Sequence, residues 1–468
     1  VDAAHALEKR GDLVAGGLRL RLTALGVASA LGYALAASRI MGRPVFLQWG
    51  FPQSDFLVFF LLLFVPLFLL ALIGAWWTFR AADDSMRTLW VVLGFGLLFR
   101  LALLATPPVL SSDIFRYVWD ARIQASGINP YLSSPADFDT EATREDLLFQ
   151  QQNRPFARTI YPPLAQWAFR LARALGGERV IAMKGLMLVG DLLTLVVLLR
   201  LLGTLGLPRS RIILYAWHPL VVFEIAGSGH VDALAIPFIL LAVLLWSRER
   251  DFLAGVSLGA AVLLKLFPIL LLPALFSRRR YWVLVACGII LLLGYLPFLP
   301  GAGFQALGHL PRFLSDPNEQ FNPSAMGLLV LLASLVSGSA VYWASWTGRI
   351  GLACVLGWLA WQKTETFSAL LDRLWVVATA FVLCTLTLHP WYLLWLVPFL
   401  VIQPRSAWIY LSGAVTVSYL FYLAAPLARG AIGVGEYLPF FWLLVREGRH
   451  RMNERAVRIR LKWAGEIR

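Results

Sequence analysis

The chain has 468 residues, of which 59% are hydrophobic and only 15% charged. Soluble globular chains carry roughly 45–50% apolar and about 25% charged residues, so a water-soluble fold is excluded and lipid remains as the solvent. A net charge of +14 would suggest nucleic acid in a soluble protein; here the basic residues gather at the ends of apolar runs, which argues for a membrane and against a nucleic-acid partner.

In chain order, apolar runs near 22–38, 55–79, 88–106, 180–203, 211–226, 232–247, 252–264, 266–276, 281–299, 338–362, 368–388, 390–403, 406–424 and 433–446 predict spanning helices. Several are short or interrupted by Pro or Gly. The expectation is an all-α polytopic membrane protein of about 12–14 transmembrane helices. The first run ends in Ala34-Leu35-Ala36, a small-residue pattern like a signal-peptidase site, but an uncleaved first helix is expected because so many spans follow. Residues 325–336 read as a re-entrant or surface helix. Cys287, Cys354 and Cys384 all lie within apolar runs, as small core residues rather than a disulfide framework. No internal repeat or separate soluble domain is visible, so residues 1–468 read as one integral membrane domain.

Basic residues in short loops set the orientation. Arg80/Arg87, Arg209/Arg211, Arg248/Arg250, Arg405 and the basic tail 447–468 belong to the cytoplasmic side, with both termini there. Arg248/Arg250 and Arg278–Arg280 flank segment 252–276 and require the same side, which a helical hairpin bent near Lys265–Pro268 satisfies. Two long loops, 107–179 and 300–324, then face outward. A loop of the first one's length is usually functional.

The chemistry-bearing residues fall at that outer face. Ser112 is placed to cap a helix in which Asp113, Arg116, Tyr117 and Asp120 follow at i, i+3, i+4 and i+7 on one face. Spacing alone fits equally an interfacial helix with solvated ion pairs. Gly127 reads as a helix stop and Asn129-Pro130 as a turn before Tyr131; Tyr161-Pro162-Pro163 is a rigid aromatic–proline element. His218 and Glu224 lie within the membrane, where ionisable groups are costly. His230 and Asp232 occupy the glycine-rich turn that follows, and Lys265 sits at the hairpin bend needing a counter-ion. Asn322 closes the second outer loop, and His389-Pro390-Trp391-Tyr392 begins a late span.

The motifs Asp113-Ile-Phe-Arg-Tyr-Val-Trp-Asp120, Gly127-Ile-Asn-Pro-Tyr131, Tyr161-Pro-Pro163, Gly229-His-Val-Asp232, Lys265-Leu-Phe-Pro268 and His389-Pro-Trp-Tyr392 together resemble bacterial GT-C glycosyltransferases, chiefly the polyprenyl-phosphate-mannose-dependent mannosyltransferases. His218 departs from the Asn expected before Pro219. The resemblance implies a membrane glycosyltransferase in the bacterial inner (plasma) membrane. It would transfer a hexose, mannose by likeness, from a polyprenyl-phosphate donor to an extracytoplasmic lipid or glycan acceptor by inverting displacement. Asp113 would be the base, with Asp120 a second catalytic carboxylate. Arg116, Lys265 and His230 would hold the donor phosphate. Tyr117, Trp119, Tyr131, Tyr161, Asp232, Asn322 and His389 would bind sugar or acceptor. Asp120 and Asp232 also have the hard oxygens a divalent metal such as Mg or Mn would take, although no cofactor is required. The competing classes are a lipid-linked oligosaccharide transporter or flippase, whose charges belong near the membrane midplane, and a glycan polymerase, whose large outer loop typically comes late.

Overall fold

The computed structural model describes residues 2–41, 54–108, 110–138, 140, 143, 146–315, 320–363, 365–423 and 426–465. Asn318 and Glu319, from the polar motif closing the second outer loop, lie outside the described residues. Helices α1 (Asp2–Ile40), α2 (Ser54–Ala81) and α3 (Met86–Leu104) form the first packed group. Ser85 starts α3 by accepting from the Thr88 N–H at 3.3 Å. Contacts along the helices give their directions. An added Cβ at Gly32 would meet Leu67 and Leu63, and one at Gly74 would meet Leu22 and Leu25, so α1 and α2 are antiparallel. Gly26 abuts Phe95, and Tyr33 stacks on Phe99 at 4.8 Å, so α1 and α3 are parallel.

The loop after α3 folds as α4 (Asp113–Ala125), short turns, and α5 (Pro163–Gly176). In α5, Ala165, Phe169 and Ala172 are buried while Trp167, Leu171 and Leu175 are exposed at four-residue spacing. It is therefore a surface helix carrying an apolar stripe. The chain returns through α6 (Val180–Thr204) and crosses back in broken pieces ending with a π-helical turn, Val222–Gly227. It then continues as α7 (Asp232–Ser247) and α8 (Asp251–Leu264).

After Lys265 the chain doubles back. A 3-10 turn, Phe267–Leu271, and one helical turn, Leu272–Leu275, bring it to the end where α7 meets α8: Trp246 Nε1 donates to the Leu275 carbonyl at 2.9 Å, and Arg280 pairs with Asp251 at 2.9 Å. Helix α9 (Trp282–Tyr295) therefore runs parallel to α8, with Gly255 and Gly259 against Val283, Ala286, Cys287 and Ile290, and Gly294 against Leu263. Small residues four apart let the two backbones approach closely. Segment 252–276 is thus a hairpin, with its two arginine clusters at a common end.

The remaining helices are α10 (Ala325–Ser334), α11 (Ala340–Trp361), α12 (Phe367–Cys384), α13 (Ser406–Ala414) and α14 (Pro426–Gly465). Within the run 325–336, α10 exposes Leu328 and Leu331, and its C-cap Leu335 is exposed as well. Among the described residues five helices are long and apolar enough to cross a membrane: Gly16–Ile40, Asp55–Ala81, Met86–Leu104, Val180–Thr204 and Phe367–Cys384. Asp232–Ser247, Asp251–Leu264, Trp282–Phe298 and Ala325–Ser334 are shorter apolar helices. The protein is thus all-α and polytopic. Runs 211–226, 266–276 and 390–403 traverse the bundle as broken segments because Pro219, Pro268, Pro273, Pro390 and Pro398 interrupt the backbone ladder.

Inside the bundle, Arg100 of α3 pairs with Asp191 of α6, both side chains fully buried. Arg100 also donates to the carbonyls of Gly96 at 2.9 Å and Ala216 at 2.6 Å, and Tyr215 donates to Asp191 at 2.6 Å. A buried ion pair whose hydrogen bonds are met in this way fixes which helices sit together. The pair, which the sequence reading did not single out, lies where three segments meet.

Candidate active site

The site grows from the junction of α3 and α4. Lys184 of α6, fully buried, donates to the carbonyls of Leu103 at 2.8 Å and Thr106 at 2.7 Å. An ammonium on the free carbonyls at a helix C-terminus is a favourable end-cap, and it fixes where the chain leaves α3. Ser112 makes no side-chain cap; Ser111 accepts from the Asp113 N–H at 3.2 Å instead. Asp113 thus opens α4, half-buried, with its carboxylate taking a hydrogen bond from Asn153 Nδ2 at 2.9 Å.

Three other elements present charge to it. Two residues after the π-helical turn comes Gly229, whose φ of +80° favours glycine and where an added Cβ would strike Ile114 at 2.4 Å. That close approach sets His230 beside the start of α4. The hairpin tip supplies Lys265, whose Nζ lies 2.9 Å from Asp232 Oδ2 and over the Tyr392 ring. The segment after α12 supplies His389. Burial pushes the Asp113 carboxyl upward, but His230, Lys265, the Asn153 hydrogen bond and His389 outweigh it and hold the group below the usual carboxylate value. Burial, then the charges of Asp113 and Asp232, push the Tyr117 phenol well above its ordinary value, leaving it a neutral group beside two carboxylates.

One wall is a ladder of rings. Phe321 stacks on His389 at 4.3 Å, His389 on Trp391 at 4.2 Å, and Trp391 on His230 at 4.3 Å. The second outer loop is held in place for this by a parallel bridge between Phe321 and Thr387, with Phe321 N donating to Leu386 O at 3.1 Å and Leu388 N to Phe321 O at 2.8 Å. Asp232 Oδ1 and His389 Nδ1 are buried without a hydrogen-bond partner. Unmet polar atoms of that kind call for an explanation, and an absent ligand supplies one.

The structure brings together Asp113, Tyr117, His230, Asp232, Lys265 and His389. It places the other anticipated residues elsewhere. Asp120 is fully buried, accepting from Arg116 Nε at 2.8 Å, Thr159 Oγ1 at 2.6 Å and Gln166 Nε2 at 2.9 Å. Arg116 also donates to the Ala157 carbonyl at 2.8 Å. The common face of α4 is right, but the rest of the loop covers it, so these pairs are not solvated, and Arg116 Nη2 is buried with no hydrogen-bond partner. Trp119 packs between Phe138 and Phe149. Tyr131 donates to the Tyr161 carbonyl at 2.8 Å and packs on Phe298, while Tyr161 packs on Tyr117 and Phe169. These rings form the core that joins the two outer loops. Asn322 lies behind the ladder, donating to Glu436 at 2.9 Å and accepting from the Tyr437 hydroxyl at its carbonyl. His218 is a helix cap, its Nδ1 accepting from the Leu220 N–H at 3.2 Å and its Nε2 3.0 Å from Ser412 Oγ.

A divalent ion finds no ligand set in these groups. Asp120 has its oxygens filled, Asp232 carries Lys265, and among the described residues no group of three or more His, Cys, Asp or Glu side chains could hold a metal. Sequence reasoning missed Asn153 and Arg154, which sit in the middle of the first loop with no periodicity to mark them. Arg154 is exposed, with φ +53°, and its charge acts on His389 and Tyr422. It also missed Phe321, and it gave Trp391 no role of its own within the His389–Tyr392 motif.

No solved structure matches the chain. GPI mannosyltransferase 1 of Kluyveromyces lactis is 27% identical over 243 residues, which are 47% of this chain and 60% of that protein's length. Residues 14–278 match the family described as "Alpha-(1->6)-mannopyranosyltransferase, N-terminal domain". That match takes in the outer-loop motif, the Gly229–Asp232 turn and the Lys265 hairpin, and the chain belongs to this mannosyltransferase family, in keeping with the GT-C resemblance of its motifs.

Proposed function

We propose that the chain transfers a hexose, mannose by family, from a polyprenyl-phosphate donor to a lipid or glycan acceptor at the outer face of a bacterial inner membrane. The observation that carries this reading is the meeting of Asp113 with His230, Lys265 and His389, four ionisable groups from four separate elements. In the reaction the acceptor oxygen attacks the anomeric carbon from the face opposite the phosphate. The carbon–phosphate-oxygen bond breaks with its electron pair on the leaving lipid phosphate, and the acceptor proton passes to Asp113. The ionised carboxylate is in the form that accepts this proton, and its lowered pKa makes it a weaker base than one poised near the operating pH. Lys265 and His230, with exposed Arg154 at the rim, would receive the developing phosphate charge; prearranged donors of this kind are each worth about 10²–10³ in rate. Tyr117 and Asp232 would hold sugar hydroxyls, and the ring ladder offers an apolar wall for the sugar or for the first prenyl units. Arg116 and Asp120 serve this scheme by fixing α4.

Sidedness rests on charge. Arg21 lies over Trp77, Arg209 pairs with Asp84, Arg248 reaches Thr204, Arg280 pairs with Asp251 and Arg405 with Asp372, all at the end of the bundle away from Asp113. Basic residues in short loops favour the cytoplasm, so both ends of this sequence would lie there and the site outside. The Arg100–Asp191 pair is closed on its own partners and gives a transporter reading no open midplane site.

The test uses the full chain in membranes supplied with radiolabelled polyprenyl-phosphate-mannose. Wild type is expected to label a lipid or glycan, and Asp113→Asn to lose nearly all transfer while still folding. Full transfer by the folded variant removes Asp113 from the role of base. No transfer by wild type from any polyprenyl-phosphate sugar refutes the donor class.

A further inference from the structure

Glu224 is fully buried in a run that lies within the apolar bundle, and it stands on the π-helical turn Val222–Gly227. Such turns are rare and frequently sit at functional sites. The widened turn, marked by Ser228 N donating to Phe223 O at 2.8 Å, ends with His230 N donating to the Glu224 carbonyl at 3.1 Å. The two residues are therefore tied through the backbone. Their side chains also meet, with Glu224 Oε2 3.2 Å from His230 Nε2. The other carboxylate oxygen, Oε1, accepts from the Tyr419 hydroxyl at 2.6 Å.

The contact between carboxylate and ring is close but unaligned. Glu224 Oε2 and both ring nitrogens of His230 are buried without a hydrogen bond of proper geometry. His218, four residues before the π turn begins and equally buried, has both nitrogens engaged. Leaving a buried polar group unmet costs about 1–3 kcal/mol, so a pair kept this way has no structural justification. Catalytic hydrogen bonds are often loose without substrate and tighten with it. The other face of His230 lies on Trp391 in the ladder, which confines the ring plane.

We propose that Glu224 is a positioning residue for His230: anchored on Tyr419, its carboxylate takes the Nε2–H of the doubly protonated ring and leaves the Nδ1–H turned to the departing phosphate. This rests on the transfer reading given above. The groups that face His230 are Asp113 from α4, Glu224 from its own segment, Lys265 from the hairpin tip and His389 across Trp391. Glu224 is the one of these that can anchor the ring through Nε2 while its charge supports a second proton on Nδ1, because its Oε2 is in contact with Nε2. Gln at this position keeps the volume and can still accept from Tyr419, but it carries no charge to support the cationic ring, and its amide nitrogen offers Nε2 a donor where the ring needs an acceptor.

The experiment measures kcat and donor KM, with polyprenyl-phosphate-mannose and full-length protein in nanodiscs, from pH 5 to 9 for Glu224→Gln, His230→Gln and the double variant. The expected result is a fall of about 10²-fold in kcat for Glu224→Gln, little change in KM, and a double variant no slower than His230→Gln alone. It includes a changed pH profile in Glu224→Gln. Wild-type kcat in folded Glu224→Gln, or a double variant that loses the product of the two single effects, overturns the proposal. Should Glu224→Gln not fold, Tyr419→Phe removes only the anchor: a smaller fall in kcat with the same pH change supports the proposal, and unchanged kinetics overturn it. Absence of transfer by wild type refutes the preceding reading instead.

Discussion

Lys265 has two jobs that a pair of substitutions can separate. Its ammonium lies 2.9 Å from Asp232, whose side chain is only 2% exposed, while Lys265 itself is 17% exposed. Lys265→Met keeps most of the stem volume and removes the charge. Asp232, whose Oδ1 already lacks a partner, then has neither oxygen engaged. Breaking a buried pair by deleting one member costs about 3–5 kcal/mol because the other charge is left uncompensated. Proton uptake by the stranded carboxyl limits that cost, so the lower end, ~3 kcal/mol, is the expected loss. Removing both charges, Lys265→Met with Asp232→Asn, is expected to restore most of the stability, since replacing both partners is often near neutral. Transfer is not expected to return, because the leaving phosphate still lacks its nearest cation; the fall in kcat is about 10²–10³ in both variants. Thermal unfolding in nanodiscs reads the first quantity and labelled-mannose transfer the second. The reasoning fails if Lys265→Met is as stable as wild type, or if the double variant transfers at the wild-type rate.

Three other outcomes follow from the geometry. Because the Asp113 carboxyl is held below its ordinary value, its contribution to stability is present above the unfolded value of 3.8 and lost as pH falls through the lower folded value; a loss of stability between pH 8 and 5 in unfolding measurements that vanishes in Asp113→Asn would contradict this. Gly255→Ala puts a Cβ 2.3 Å from the Val283 carbonyl oxygen and is expected to cost about 1–3 kcal/mol, whereas Gly288→Ala, with nothing within 4 Å, is expected to leave the unfolding temperature unchanged. His218→Ala loses a helix cap and the Ser412 contact and is expected to cost about 1–2 kcal/mol in unfolding measurements with kcat of the folded protein unchanged; a loss of kcat at full stability would return His218 to the chemistry.

Hydropathy made the all-α membrane fold legible, and charge made the hairpin legible. Arginine clusters on both flanks of 252–276 required a return, and Arg280 does meet Asp251 across its open end. The buried charges were less readable. His218 and Glu224 look alike in sequence, each an ionisable residue in an apolar run. What separates them is a partner about 195 positions away: Ser412 completes His218, while Tyr419 takes one oxygen of Glu224 and leaves the other to His230. No local pattern encodes such distant pairings. Arg100 and Asp191 were hidden for the same reason, each a single charge in a long apolar helix. In α4 the spacing gave the correct face, and the error lay in what covers it. Thr159, which closes over Asp120 together with Gln166 of α5, comes from a stretch whose fold has no periodic signature, and nothing local says that α5 packs its polar Gln166 on α4.

The broken helices and the one-sided site have a common cause. His230 follows Gly229, Lys265 precedes Pro268 by three residues, Asn322 precedes Pro323, and His389 precedes Pro390. Three of them lie at helix ends: His230 follows the π-helical turn Val222–Gly227, Lys265 is the C-cap of α8 with an extended backbone, and His389 is the extended N-cap of the turn Pro390–Leu393. An unbroken spanning helix satisfies its own backbone and would point these polar groups at lipid or bury them among apolar neighbours, where an unpaired charge is costly. A helix that stops short of the surface frees backbone groups and lets its end residues turn inward, where another ended helix can meet them. Lys265 reaches Asp232 at the start of α7 in this way, and His389 reaches Phe321 and Trp391. The prolines and glycines that shorten the apolar runs are therefore what allows charge from distant parts of the chain to converge on Asp113 without crossing lipid.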